Sequence, residues 1–166
     1  NTSVSRILTE DNRATGFRID WEDGTQTEEC FDVMIATVPS FTLPRLVDLP
    51  DDYLAKLQDV EYEGAIAVIW VLSHSLTPIY WLNISDPSID FLLVLEQTNL
   101  VPSSEYGGKH IIYTANYVTR DDRRWNMDAE QIMMDYLPHL QKINPDFDKT
   151  WIESYYVHKE PAAQPI

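Results

Sequence analysis

Residues 16–39, GFRIDWEDGTQTEECFDVMIATVP, constrain the fold most, because two different strand patterns meet there with no helix between them. Phe17, Ile19 and Trp21 alternate with Arg18, Asp20 and Glu22, the period of two that marks a half-buried strand. Asp23-Gly24 follows, a dipeptide that tolerates the positive φ angles of a tight hairpin turn. The returning strand keeps polar residues at Thr25, Gln26, Thr27 and Glu28. Val33, Met34, Ile35 and Ala36 then show no polar face, which predicts a strand over 32–37 buried on both sides. A strand of that kind needs neighbours, and the short stretch before it cannot supply them. The chain also begins at Asn1 and not at a methionine, so a piece of a longer protein is expected.

Charge narrows the partners. Twelve Lys and Arg against 27 Asp and Glu give a formal net charge of −15, which repels phosphate backbones and anionic membranes and argues against nucleic acid as a partner. The acidity is spread along the chain, as in a solvated surface and unlike a cation-binding tail. Hydrophobic residues at 44% supply ample core material and argue against disorder. Cys30 is the only cysteine and permits no internal disulfide. No apolar run reaches the length of a bilayer-spanning helix and no signal peptide is visible, so the cytoplasm is the expected compartment.

Beyond Pro39 the chain changes character. Residues 40–49 read as short and helical or irregular, with Pro44 suited to a first turn, and Asp51-Asp52 opens a helix carrying Leu54, Leu57 and Val60. Strands are predicted over 65–72, 79–84, 91–98, 110–118 and 150–158, with turns at Asp86-Pro87-Ser88 and Tyr106-Gly107-Gly108. Residues 128–143 form one amphipathic helix, capped by Asn126 or Asp128, in which Pro138 should kink or weaken the course. The expected class is α+β: an N-terminal β-meander and one buried strand over 1–39, then a mixed or antiparallel sheet packed with helices over 40–166.

Familiar catalytic patterns are missing. His74, His110, His139 and His158 show no metal-ligand spacing with one another or with Cys30, and neither a Gly-x-Ser-x-Gly elbow nor a phosphate-binding loop occurs. Two polar clusters do interrupt apolar strands: Trp81-Leu82-Asn83 and Glu96-Gln97-Thr98-Asn99. A buried polar group left without a partner costs about 1–3 kcal/mol, so either neighbouring strands or a ligand must satisfy these. The same alternative, core or ligand cage, stands for Tyr80, Tyr113 and Tyr117.

The run Phe31-Asp32-Val33-Met34-Ile35-Ala36-Thr37-Val38-Pro39 after a hairpin, with YWLNISD at 80–86, LEQTN at 95–99 and Pro-Asp-Phe at 145–147, resembles the FAD-dependent amine oxidase and protoporphyrinogen oxidase-like superfamily. That superfamily also holds phytoene desaturases and UDP-galactopyranose mutases. The resemblance implies that Val4 and the turn Ala36-Thr37-Val38-Pro39 lie near the adenosine part of FAD. It implies equally that 40–166 form the substrate domain, with Trp81, Asn83, Gln97, Asn99 and Tyr117 as candidate contacts to a small-molecule substrate. The catalytic residues stay unassigned. No Gly-x-Gly-x-x-Gly is present, so the isolated chain is expected to bind no FAD and to be inactive without the remainder of the parent flavoprotein. Hydride transfer from substrate to flavin is the implied parent chemistry. The alternatives are a non-redox flavin mutase and a non-enzymatic ligand-binding or interaction module. Self-association through the cut surface is expected in the isolated piece.

Overall fold

A computed structural model describes residues 2–166, and the chain divides into two compact units at Glu61/Tyr62. The first unit takes in residues 40–61, whereas the sequence pattern changes at Pro39.

In the first unit, β1 (Thr2–Glu10), β2 (Arg13–Trp21) and β3 (Gln26–Cys30) form an antiparallel meander in that order. Asp11 and Asn12, both at positive φ, turn β1 into β2. The predicted Asp23-Gly24 turn is formed: Gly24 has φ of 81°, and its amide donates to the Trp21 carbonyl at 3.0 Å. Phe17 on β2 stacks on Phe31 with ring centroids 5.4 Å apart. Two short helices follow, α1 (Leu43–Leu46) with Pro44 in its first turn and α2 (Asp51–Gln58) with Asp51 and Asp52 at its positive end.

Residues 32–37 depart from expectation. They pair with no strand, and Val33 and Ile35 are 78% and 84% exposed. β3 (QTEEC) is polar and exposed along its length, and among the described residues the sheet of this unit ends at β1 and β3 with no further strand to pair with the segment. The apolar sequence of a buried strand is present without the ladder that would bury it.

The second unit is an antiparallel sheet in the order β5-β6-β7-β4-β8. Its strands are β4 (Tyr62–Leu72), β5 (Trp81–Asn83), β6 (Leu93–Glu96), β7 (His110–Val118) and β8 (Ile152–Pro165). Between β7 and β8 runs α3 (Ala129–Ile143). Asp128 caps this helix in a reciprocal box with Gln131, and Pro138 stays within its span. Alternation along β4 sorts Ile66, Val68, Trp70 and Leu72 onto one face, where they are wholly buried with Ile132, Tyr136 and Leu140 of α3. Residues 132, 136 and 140 share a helix face by their spacing of four. Burying each large apolar side chain of this cluster contributes about 1.5–3 kcal/mol. At the head of β4, Gly64 is required by space: a Cβ there would overlap the ring of Trp125. No helix among the described residues is long and apolar enough to cross a membrane.

Candidate functional site

Only one face of the five-stranded sheet is filled by the core cluster. On the other, strand register sets side chains in rows, since directly paired antiparallel residues project to the same side. One row runs Trp81, Leu95, Tyr113, Ile69, Tyr156 from β5 to β8. The next runs Asn83, Leu93, Ala115, Ala67, His158, followed by Tyr117, Ala65, Glu160; on the far side lie Ile111, Val71 and Ser154. Trp81 is 52% exposed, Tyr117 49% and Tyr156 56%. The Trp81 indole Nε1 donates to Asn83 Oδ1 at 3.0 Å, which fixes the ring and leaves the Asn83 amide nitrogen to donate outward.

The second polar cluster has another setting. Glu96 ends β6 wholly buried, and its Oε2 accepts from the backbone amides of Leu76 (3.0 Å) and Thr77 (2.7 Å). Its Oε1 lies 3.2 Å from His110 Nδ1 and 3.5 Å from Thr98 Oγ1. Gln97 and Asn99 follow in a 3₁₀ turn, Gln97–Asn99, where Asn99 Nδ2 donates to the Thr77 carbonyl at 2.7 Å. The carboxylate and the Asn99 amide thus hold the loop of residues 73–80 against the end of β6. Of the five candidate substrate contacts, Trp81, Asn83 and Tyr117 share the open face, whereas Gln97 and Asn99 sit in this turn. Sequence reasoning missed Tyr156 and Ile69 as members of the face. Alternation within 150–158 separates Tyr155 from Tyr156, but only the strand order tells which of them joins Tyr113.

In the first unit, Val4, Phe17, Ala36, Thr37, Val38 and Leu46 line an apolar cleft of 230 Å³. Pro39 is not among its walls; its carbonyl accepts from the Thr42 amide at 2.8 Å and opens the turn into α1.

A third polar group lies on the core side of the second unit. Arg124 grips Asp122 through Nε (2.9 Å) and Nη2 (2.7 Å) and reaches the Tyr136 hydroxyl at 3.4 Å. The hydrogen bond from Arg124 holds the Asp122 carboxyl below the usual carboxylate range, while burial pushes the Tyr136 phenol up. This arrangement ties the 3₁₀ turn Arg123–Asn126 to α3 and is structural. Among the described residues no three His, Cys, Asp or Glu side chains gather as a metal centre.

The chain matches no protein family's sequence profile, and no curated protein resembles it in sequence. Its fold does recur in solved structures. An oxidoreductase from Methanosarcina mazei superposes with a TM-score of 0.68 at 18% identity, over 97% of this chain and 37% of that one. A provisionally assigned protoporphyrinogen oxidase from Exiguobacterium gives 0.60 at 16% identity, over 99% of this chain and 35% of that one. A reduced UDP-galactopyranose mutase gives 0.62 at 14% identity, over 89% and 33%. The chain therefore spans about a third of the length of each, with an α+β fold that recurs as a part of larger proteins.

Proposed function

We propose that this chain is the substrate-domain segment, with a small part of the cofactor domain, of an FAD-dependent oxidoreductase of the amine-oxidase type. The observation that carries the proposal is the match of nearly the whole chain, 97% of it, to 37% of an oxidoreductase. On this reading residues 1–39 belong to the FAD-binding domain, and the open face of the five-stranded sheet is a wall of the substrate cavity.

The residues present suit one end of FAD. Val4, Ala36, Thr37 and Val38 offer an apolar cleft for the adenine, with Pro39 turning the chain away behind it. The sequence holds no glycine-rich loop to cradle the pyrophosphate, so donors for that group belong to the remainder of the parent. FAD, when bound, supplies the acceptor for a hydride taken from a substrate carbon. This chain's part is to bind and orient: Trp81 and Tyr113 give flat apolar contact, Asn83 and the tyrosine hydroxyls give hydrogen bonds that set the pose, and the packed sheet excludes water from one side. The match to a mutase supports a second reading, a non-redox flavin enzyme built on the same fold. A ligand-binding module without flavin is the third.

The test is to express the reading frame extended on both sides and to measure flavin after purification by absorbance. Bound FAD that substrate bleaches without oxygen supports the oxidoreductase. Bound flavin that must first be reduced by dithionite and then supports isomerisation without net oxidation of the substrate supports the mutase, and a colourless protein refutes both.

A further inference from the structure

The open face of the second unit differs in charge from the molecule around it. None of its four cross-strand rows contains a Lys or an Arg. Apart from tyrosine hydroxyls, its acid or base side chains are His158 and Glu160 on the marginal strand β8 and Glu63 at the head of β4, so the ionisable groups add acid and no lysine or arginine. Two lysines that flank the rows are committed elsewhere. Lys159 points to the core side and donates to the carbonyls of Trp125 (3.0 Å) and Met127 (2.5 Å), and Lys109, just outside the rows, is paired with Glu153.

The apolar groups on the face are ordered. Trp81, Tyr113 and Tyr156 stand on alternate strands of one row with Leu95 and Ile69 between them. Strand spacing puts successive rings roughly 10 Å apart, in a strip roughly 20 Å long. A phosphate or carboxylate laid on this strip loses its water and meets no cation in return, which is unfavourable. An apolar molecule gains in proportion to the area it covers.

We propose that this face takes an uncharged, largely apolar ligand lying across the strands, and discriminates against phosphorylated or carboxylated ones. The inference rests on the reading of the face as a substrate wall, and it narrows the substrate class. A sugar nucleotide would have to place its diphosphate on residues outside this chain, so the class it favours is that of an oxidoreductase acting on an apolar molecule.

Two probes that differ by one anionic group test it: N-phenyl-1-naphthylamine, which is neutral, and 8-anilinonaphthalene-1-sulfonate. Each is titrated by fluorescence into the 166-residue chain at about 0.5 M salt, which screens the net charge of −15. The neutral probe should bind roughly tenfold or more tightly than the sulfonate, a gap of about 1.4 kcal/mol. Trp81→Ala and Tyr156→Ala, at sites more than half exposed and so tolerant of change, should each weaken it several-fold, while Ile35→Asp in the first unit should not. Leu95→Lys should close the gap between the probes. Equal or tighter sulfonate binding overturns the proposal, as does neutral-probe binding that ignores both aromatic substitutions. A dimer that falls apart on Trp81→Ala overturns it too, by showing a second copy on the face. Flavin plays no part in these titrations, so a colourless longer protein with intact probe selectivity would refute the oxidoreductase alone.

Discussion

Glu96 offers the sharpest test of how the second unit is held. Its carboxylate is fully buried and accepts two backbone amides, those of Leu76 at 3.0 Å and Thr77 at 2.7 Å. Glu96→Ala removes the Oε2 acceptor of both amides at once. Each stranded amide costs about 1–3 kcal/mol, so the variant should lose about 2–6 kcal/mol of unfolding free energy. Glu96→Gln separates charge from shape. Its amide oxygen can still meet Leu76 and Thr77, and its nitrogen can donate to His110 Nδ1, so the loss should fall to about 1–3 kcal/mol as two charge-assisted bonds become neutral ones. Urea unfolding followed by tryptophan fluorescence reports on this unit, because Trp70, Trp81, Trp125 and Trp151 all lie in it and only Trp21 does not. An alanine variant within about 1 kcal/mol of the parent chain would refute the argument, since it would mean that water replaces the carboxylate at no cost.

The other polar residues should divide by their partners: Asn99→Ala, which strands the Thr77 carbonyl, should cost about 1–2 kcal/mol, and Asn83→Ala less than about 0.5, both by urea melts. Asp122 has a lowered pKa, so its stabilising contribution is full above the ordinary carboxylate value of about 3.9 and disappears as pH falls through its depressed value. The gap in urea midpoint between the parent chain and Asp122→Asn should therefore be widest near neutrality and vanish in strong acid; a gap independent of pH would contradict this. Pro138→Ala should stabilise α3, by up to about 3 kcal/mol if the ring now costs a full interior break, as read from the thermal midpoint. Sedimentation of the isolated chain should show association that Ile35→Asp reduces, because Val33 and Ile35 present unpaired apolar chain to solvent.

Periodicity revealed most of the second unit. Strands β4 and β7, the helix and the Asp128 cap were readable because a period of two and a period near four are local properties of the chain. The hairpin at Asp23-Gly24 was readable for a like reason, since its positive φ is required at one residue. The faces of the sheet were only half legible. That Ile112, Thr114 and Val118 share a side follows from alternation, but that Trp81 and Tyr156 stand in one row needs the order β5-β6-β7-β4-β8, which is set by long-range packing. Residues 32–37 mark the opposite failure. Their composition describes a strand among neighbours, and composition carries no information on whether those neighbours lie within the same 166 residues. Glu96 could be recognised as a polar residue ending an apolar strand; its two amide partners at Leu76 and Thr77 could not, because they lie about twenty residues upstream in a loop without periodicity.

The placement of β4 has a consequence for biosynthesis. It is the most apolar strand of its unit, and both strands that flank it, β7 and β8, are made after it. The last strand of this unit zips onto its first, Tyr62 opposite Pro165, so one flank of β4 stays open until β8 has left the ribosome. Vectorial synthesis cannot complete this sheet piecemeal, and slow non-local pairing is the step that limits such topologies. Until then Ile66, Val68 and Trp70 sit on a nascent chain with one flank unpaired. A translational pause before β8 has emerged would lengthen that exposure, and one after it has emerged would leave the exposure unchanged. The yield of folded protein should follow the position of slow codons around residue 150 more closely than their number.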